Sequence, residues 1–213
     1  MRLRKKHWAI PEMKENSYVF FDGQRYKGKW DEVFQNGNPI ILEIGAGKGK
    51  FTTELAKEHP ELNFIMVEFE PNAFVYATRK ILEKELNNVR ALPIHAENLL
   101  EYFEKDEISK IYINFCNPWP KNRHKKRRLT YPDYLKRYEQ ILKPEGLLEL
   151  RTDDRPFFED SLDYFEKSSW EKIKSSFDTR VEDYGDPIIT EYETKWRAMN
   201  LPICYGVFKY CKQ

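Results

Sequence analysis

From residue 39 to the C-terminus, short apolar runs alternate with stretches in which hydrophobic residues recur every three or four positions. The runs read as buried strands over residues 40–44, 64–68, 90–95, 110–115, 147–152, 172–177 and 203–210. The stretches between them read as amphipathic helices. Phe51, Leu55 and Ala56 share one face, as do Phe74, Ala77, Ile81 and Leu82, and then Tyr134, Leu135, Tyr138 and Leu142. Pro71 and Pro132 suit first-turn positions, where a missing N–H is no loss, and a further helix is expected over 155–167. Strand and helix periods in alternation predict an α/β fold: an open, doubly wound, mostly parallel sheet of seven strands, its edge closed by the last pair. Such sheets bind ligands beyond the carboxyl ends of their strands. Chemistry is therefore expected in the residues that follow each strand.

At 213 residues the chain is expected to form one domain, 1–213. Forty per cent hydrophobic residues can fill a core, while a mean hydropathy of −0.77 excludes a membrane protein. The basic start resembles the head of a secretory signal, but no apolar run of roughly 7–15 residues follows it, so a cytoplasmic location is expected. Residues 1–16 read as a mobile basic arm that folds on the substrate. Cys116, Cys204 and Cys211 are odd in number and lack metal-ligand spacing, which predicts reduced thiols and no metal site.

Charge first argues against a nucleic-acid partner, because 36 Lys and Arg oppose 35 Asp and Glu for a net +1. Its distribution reverses that inference. Residues 121–128, KNRHKKRR, hold six cations and the first six residues hold four; setting these ten aside from the total of +1 leaves −9 on the remainder. Two basic blocks sit on an acidic body.

The first strand exits as Glu43-Ile44-Gly45-Ala46-Gly47-Lys48-Gly49. Glycines there permit a tight turn and close backbone approach to a ligand. The spacing GxGxG fits neither the dinucleotide fingerprint GxGxxG nor a P-loop. An acid followed by this turn resembles the S-adenosylmethionine site of Rossmann-like methyltransferases. Glu43 is placed to receive the cofactor ammonium, and Glu68, at the end of the second strand, to accept both ribose hydroxyls. His95 and Glu97, after the third strand, fall where an adenine amino group is read.

The fourth strand runs into Cys116-Asn117-Pro118-Trp119-Pro120 and then the basic run. Two prolines around a tryptophan make a stiff loop with an aromatic face on which bases can stack. The following cations can neutralise phosphates, giving an attraction that falls steeply with salt. Lodged between a strand and the Pro132 helix, this run is too firmly anchored to be a free tail.

EIGAGKG, NFCNPWPKNRHKKRRL, RTDD and ITEYETKW together resemble the bacterial tRNA (guanine-N7-)-methyltransferase family over essentially the whole chain. The string PWPK-x-RH-x-KRRL is too long for chance agreement. The resemblance implies a class I, S-adenosylmethionine-dependent methyltransferase fold, a tRNA partner and methylation of guanosine 46 in the variable loop; a monomer or homodimer is expected. Carried over by motif, cofactor contacts fall to Glu43, Gly45, Gly47, Glu68, His95, Glu97 and Asn117. Substrate contacts fall to Lys121, Asp153, Thr190, Glu191, Tyr192 and Glu193, and catalytic roles to Asn117 and Asp153. Arg123, His124, Lys125, Lys126, Arg127 and Arg128 would grip RNA. The chain departs from the family in carrying Asn117 where Asp is usual and His95 where an acid is usual, the latter shifting the adenine contact towards Glu97.

Guanine N7 carries an in-plane lone pair and no proton, so its methylation needs no general base, and positioning and electrostatics supply the catalysis. Asp153 is the first candidate for holding the base, since one carboxylate accepts both the N1 and N2 hydrogens; Asp153 or Asp154 also suits the N-cap of the 155–167 helix. Two other readings compete. Asn117-Pro118-Trp119-Pro120 partly matches the N-P-P-aromatic loop of enzymes that methylate exocyclic amines of adenine or cytosine, and a non-catalytic RNA-binding protein would keep the basic run alone.

Overall fold

A computed structural model describes residues 6–212; Arg2, Arg4 and Lys5 of the basic arm lie outside them. In chain order the regular elements are α1 (Ala9–Glu15), α2 (Trp30–Phe34), β1 (Ile40–Ile44), α3 (Lys50–Glu58), β2 (Asn63–Val67), α4 (Pro71–Glu83), β3 (Val89–Leu92), α5 (Leu99–Tyr102), β4 (Ile108–Asn114), α6 (Pro132–Ile141), β5 (Leu142–Thr152), α7 (Arg155–Glu166), β6 (Trp170–Ser176), α8 (Glu191–Ala198) and β7 (Cys204–Tyr210). The strands form one sheet in the order β3-β2-β1-β4-β5-β7-β6. β1 to β5 pair in parallel, and β7 lies antiparallel between β5 and β6. Strand order reverses between β1 and β4, which places the switch-point crevice there.

Alternation along each strand sends successive side chains to opposite faces. Leu42, Ile44, Ile65, Ile111, Ile113 and Leu150 meet Tyr134 and Leu135 of α6 and Phe157 and Phe158 of α7 on one face. Ile41, Phe64 and Met66 meet Phe51 and Leu55 of α3 and Phe74, Ala77 and Ile81 of α4 on the other. Towards β5 this second face turns polar. Lys110, Tyr112 and Asn114 of β4 stand beside Glu149 and Arg151 of β5, and residues 184–193 cover them in place of an apolar helix.

The first strand lies where the apolar pattern puts it, while other boundaries move. β5 begins at Leu142, paired with Ile108, so Leu142 opens a strand and is not in the last turn of α6. Leu82 is 53% exposed: Ile81 takes the buried position and Leu82 points about 100° around the helix. β2 and β3 stop at Val67 and Leu92, leaving Glu68 and His95 in the loops beyond them. Residues 6–16 of the arm lie on the domain. The Arg79 guanidinium of α4 pairs with both carboxylate oxygens of Glu12, and Lys6 Nζ donates to the Tyr76 hydroxyl at 2.6 Å. All three cysteines are free, and no helix among the described residues is long and apolar enough to cross a membrane.

Candidate active site

The turn after β1 is held open by three glycines with positive φ, Gly45 (80°), Gly47 (54°) and Gly49 (72°). Gly49 is also confined by contact, since a Cβ there would sit 2.6 Å from the Ala77 side chain. The turn borders a cavity of about 250 Å³ completed by Asn114 and Phe115 at the end of β4 and by Thr190, Glu191, Tyr192 and Lys195 at α8.

Glu43 forms the acidic floor of this cavity and is only 4% exposed. It accepts hydrogen bonds from Thr52 Oγ1 and from Asn114 Nδ2 at 3.1 Å. Burial pushes its carboxyl above the ordinary carboxylate range, against the opposing pull of those two donors and the Arg151 charge. Asn114 Oδ1 is buried and accepts no hydrogen bond. A desolvated carboxylate beside an unpartnered acceptor suits a cationic donor, as an amino-acid ammonium would be.

Glu68 lies beside the same turn. Its Oε2 accepts from Gly47 N at 3.2 Å, while Oε1 accepts from Phe69 N and Glu70 N, both at 2.9 Å. Burial raises its pKa in spite of these donors. At the end of β3 the His95 ring stacks on exposed Phe69 with centroids 4.3 Å apart, and Glu97 accepts from the Tyr134 hydroxyl at 3.3 Å.

Beyond β5 two adjacent acids divide their work. Asp154 caps α7, accepting from Phe157 N at 2.8 Å, while Asp153 faces the Tyr192 hydroxyl at 3.4 Å. Tyr192 also packs on Phe115, ring centroids 5.3 Å apart, and thereby joins the Asp153 side of the crevice to the cavity. Phe115 holds a left-handed φ of 51°, unusual for a bulky residue, as the chain bends out of β4. Thr190 caps α8 by accepting from Glu193 N, and Glu191 is paired with Lys80 at 2.7 Å. Glu193 differs from the substrate contact expected of it: it is fully buried, bound to the Tyr184 hydroxyl and to Arg197.

The basic run forms a 3₁₀ turn over Asn122–Arg127. Lys121, Arg123, Lys126 and Arg127 are exposed, with Arg127 lying over the Trp119 ring and His124 at its edge. Arg128 departs from the RNA-gripping role expected of the run. It is 2% exposed, donates to the Pro118 carbonyl at 2.7 Å and pairs with Asp160. Lys125 pairs with the same Asp160 at 2.7 Å. Asn117 lies outside the cavity and accepts from Trp119 N at 3.1 Å, an Asx-type turn that shapes the Pro-Trp-Pro loop. The asparagine that reaches the cavity is Asn114. Asn114, Phe115 and Lys195 lie within the strings NFCNPWPKNRHKKRRL and ITEYETKW without a role assigned by motif; a polar residue closing the otherwise apolar end of β4 is the signal that marks Asn114.

An open sheet with a glycine turn at its switch point, an acid beneath that turn and further acids at the neighbouring strand ends has the architecture of class I, S-adenosylmethionine-dependent methyltransferases. Two solved methyltransferases share the fold: an antibiotic-related methyltransferase (TM-score 0.65, 17% identity, covering 87% of this chain and 94% of that one) and the 16S rRNA methyltransferase KamB (TM-score 0.68, 13% identity, the same two coverages). Residues 37–205 match the family model described as "Putative methyltransferase". The tRNA (guanine-N(7)-)-methyltransferase of Clostridium tetani is 46% identical over 98% of this chain and 99% of its own length, and that of Clostridium acetobutylicum 44% over 95% and 96%. The chain belongs to the tRNA (guanine-N(7)-)-methyltransferase family.

Proposed function

We propose that this chain transfers a methyl group from S-adenosylmethionine to N7 of guanine in tRNA, at guanosine 46 of the variable loop, in the cytoplasm. The reading rests above all on Tyr192, which touches both Asp153 and Phe115 and so sets a base-holding carboxylate beside the cavity floored by Glu43. When bound, S-adenosylmethionine supplies an electrophilic methyl group on a sulfonium sulfur. Glu43 and Asn114 receive its ammonium group, and Glu68 its ribose hydroxyls. Asp153 accepts the N1 and N2 hydrogens of guanine, which orients N7 towards the cavity. Because N7 has no proton to lose, no side chain acts as a base. Trp119 offers a stacking face, and Arg123, Lys126 and Arg127 meet phosphates.

Incubation of the protein with unmodified tRNA and methyl-labelled S-adenosylmethionine, followed by nucleoside mapping, is expected to give 7-methylguanosine at position 46. Asp153→Ala should lower turnover by about 100-fold without weakening tRNA binding. Label on an exocyclic amine of adenine or cytosine would refute the assignment.

A further inference from the structure

The polar face of β4 and β5 supports the cavity wall formed by α8, and one side chain stands at the centre of that support. Arg151 is fully buried. Its Nη1 donates to the Ile188 carbonyl at 2.6 Å and its Nη2 to the Asp186 carbonyl at 2.8 Å. The guanidinium lies 3.8 Å from the Tyr184 ring centroid and 5.0 Å from that of Phe51, at the start of α3. Tyr184 in turn donates to Glu193 at 2.7 Å, and Glu193 binds Arg197 one turn later in α8. The segment leading into α8 sends two apolar side chains inward, Tyr184 and Ile188, and is otherwise held by polar bonds. Arg151 bridges two of its carbonyls and, through Tyr184, reaches the buried carboxylate within α8, while Lys110 and the Tyr112 hydroxyl hold the Asp186 side chain.

We propose that Arg151 is a positioning residue for the cofactor: it fixes the 184–190 segment and hence the placement of Thr190, Glu191, Tyr192 and Lys195 against the glycine turn. This rests on the cofactor and substrate reading above and adds a residue that touches neither ligand. Two further observations fit. Arg151 is the cross-strand partner of Asn114, the residue that shares the cavity floor with Glu43, and its charge favours the ionised form of Glu43. Arg151 Nε and Glu193 Oε2 are both buried without partners, and Nη1 lies 3.9 Å from Glu193. The anchor thus depends on directed bonds to backbone carbonyls, which a lysine cannot reproduce because its ammonium is a single point.

Arg151→Lys and Glu193→Gln test this, read by calorimetric titration with S-adenosylmethionine, by hydrogen exchange of the free protein, and by separate KM values for cofactor and tRNA. Arg151→Lys should weaken cofactor binding roughly tenfold, raise cofactor KM in step and leave tRNA KM within about twofold. Faster exchange should be confined to residues 184–198. Glu193→Gln should show the same pattern more weakly, and it carries the test if Arg151→Lys fails to fold. Unchanged cofactor affinity with loosened α8 would overturn the proposal, as would a uniform rise in exchange across the sheet. Should the wild-type protein make no 7-methylguanosine while the binding and exchange results hold, the anchor stands and the substrate reading falls.

Discussion

Beside the glycine turn the two acids are each held by specific hydrogen-bond donors, whereas in the 121–128 turn most cations stand in water. Glu43 accepts from Thr52 and Asn114 beneath the cavity, and Glu68 takes three backbone N–H groups. Arg123, Lys126 and Arg127 are exposed on a 3₁₀ turn. The contrast follows from what each region has to recognise. A small ligand is selected by fixed donors and acceptors at hydrogen-bonding distance, in a setting of low dielectric where misplacement is costly. Phosphates are attracted by charge without exact geometry, and that attraction weakens with salt. Arg128 belongs to the basic run by sequence and to the buried region by structure, which makes it the sharpest point of comparison.

Replacing Arg128 by Ala breaks the comparison most strongly. Its bonds to Pro118 and Asp160 tie the Pro-Trp-Pro loop to α7, so Arg128→Ala should destabilise the protein by about 2 kcal/mol in chemical denaturation. Glu43→Gln probes the buried side. With its carboxyl pKa raised, folded Glu43 keeps a proton that the unfolded chain has already released between the ordinary carboxylate value and the raised one. The stability of the wild type therefore falls as pH rises through that window, and the variant should lose this slope in melting curves. The same variant should bind S-adenosylmethionine about tenfold more weakly near neutral pH, where one charge-assisted bond is missing. The smallest effect is expected on the exposed side. Arg123→Ala combined with Lys126→Ala should leave the melting temperature unchanged and reduce the salt slope of tRNA binding by about 1.4, the loss of two phosphate contacts to a flexible strand. An unchanged slope would remove these residues from the RNA interface.

The same contrast explains how much could be read in advance. β1 and the position of Glu43 were legible because buried parallel strands are nearly continuous apolar runs, and a glycine turn with an acid behind it breaks such a run conspicuously; Glu68, expected to end its strand, stands one residue past β2. Leu142 was assigned to a helix because its spacing from Tyr138 fits the helical period, yet pairing with Ile108 draws it into β5. Glu193 and Arg128 misled for one reason: charged residues in polar segments read as exposed, and only the fold shows that a partner such as Arg197 or Asp160 lets them be buried. Motif marks Thr190 to Glu193 but not residues 184–188 before them, whose cover over the sheet mixes the buried Tyr184 and Ile188 with ion pairs and carbonyl contacts and so leaves no hydrophobic period. Asn117 illustrates a further limit. Its side-chain oxygen closes the turn at Trp119, a task an aspartate oxygen performs equally well, so the loop shape does not distinguish Asn from Asp here.

The Pro-Trp-Pro loop is held from two sides, by the Asn117 turn and by Arg128 on the Pro118 carbonyl, with Arg127 over the Trp119 ring and His124 at an edge contact with it. Its consequence is kinetic. A loop that is already ordered asks for no folding step after collision, so the rate at which RNA is captured should follow diffusion and ionic strength, while the lifetime of the complex should follow the quality of the stacked contact. Encounter and residence time thus answer to different residues within a span of a dozen positions.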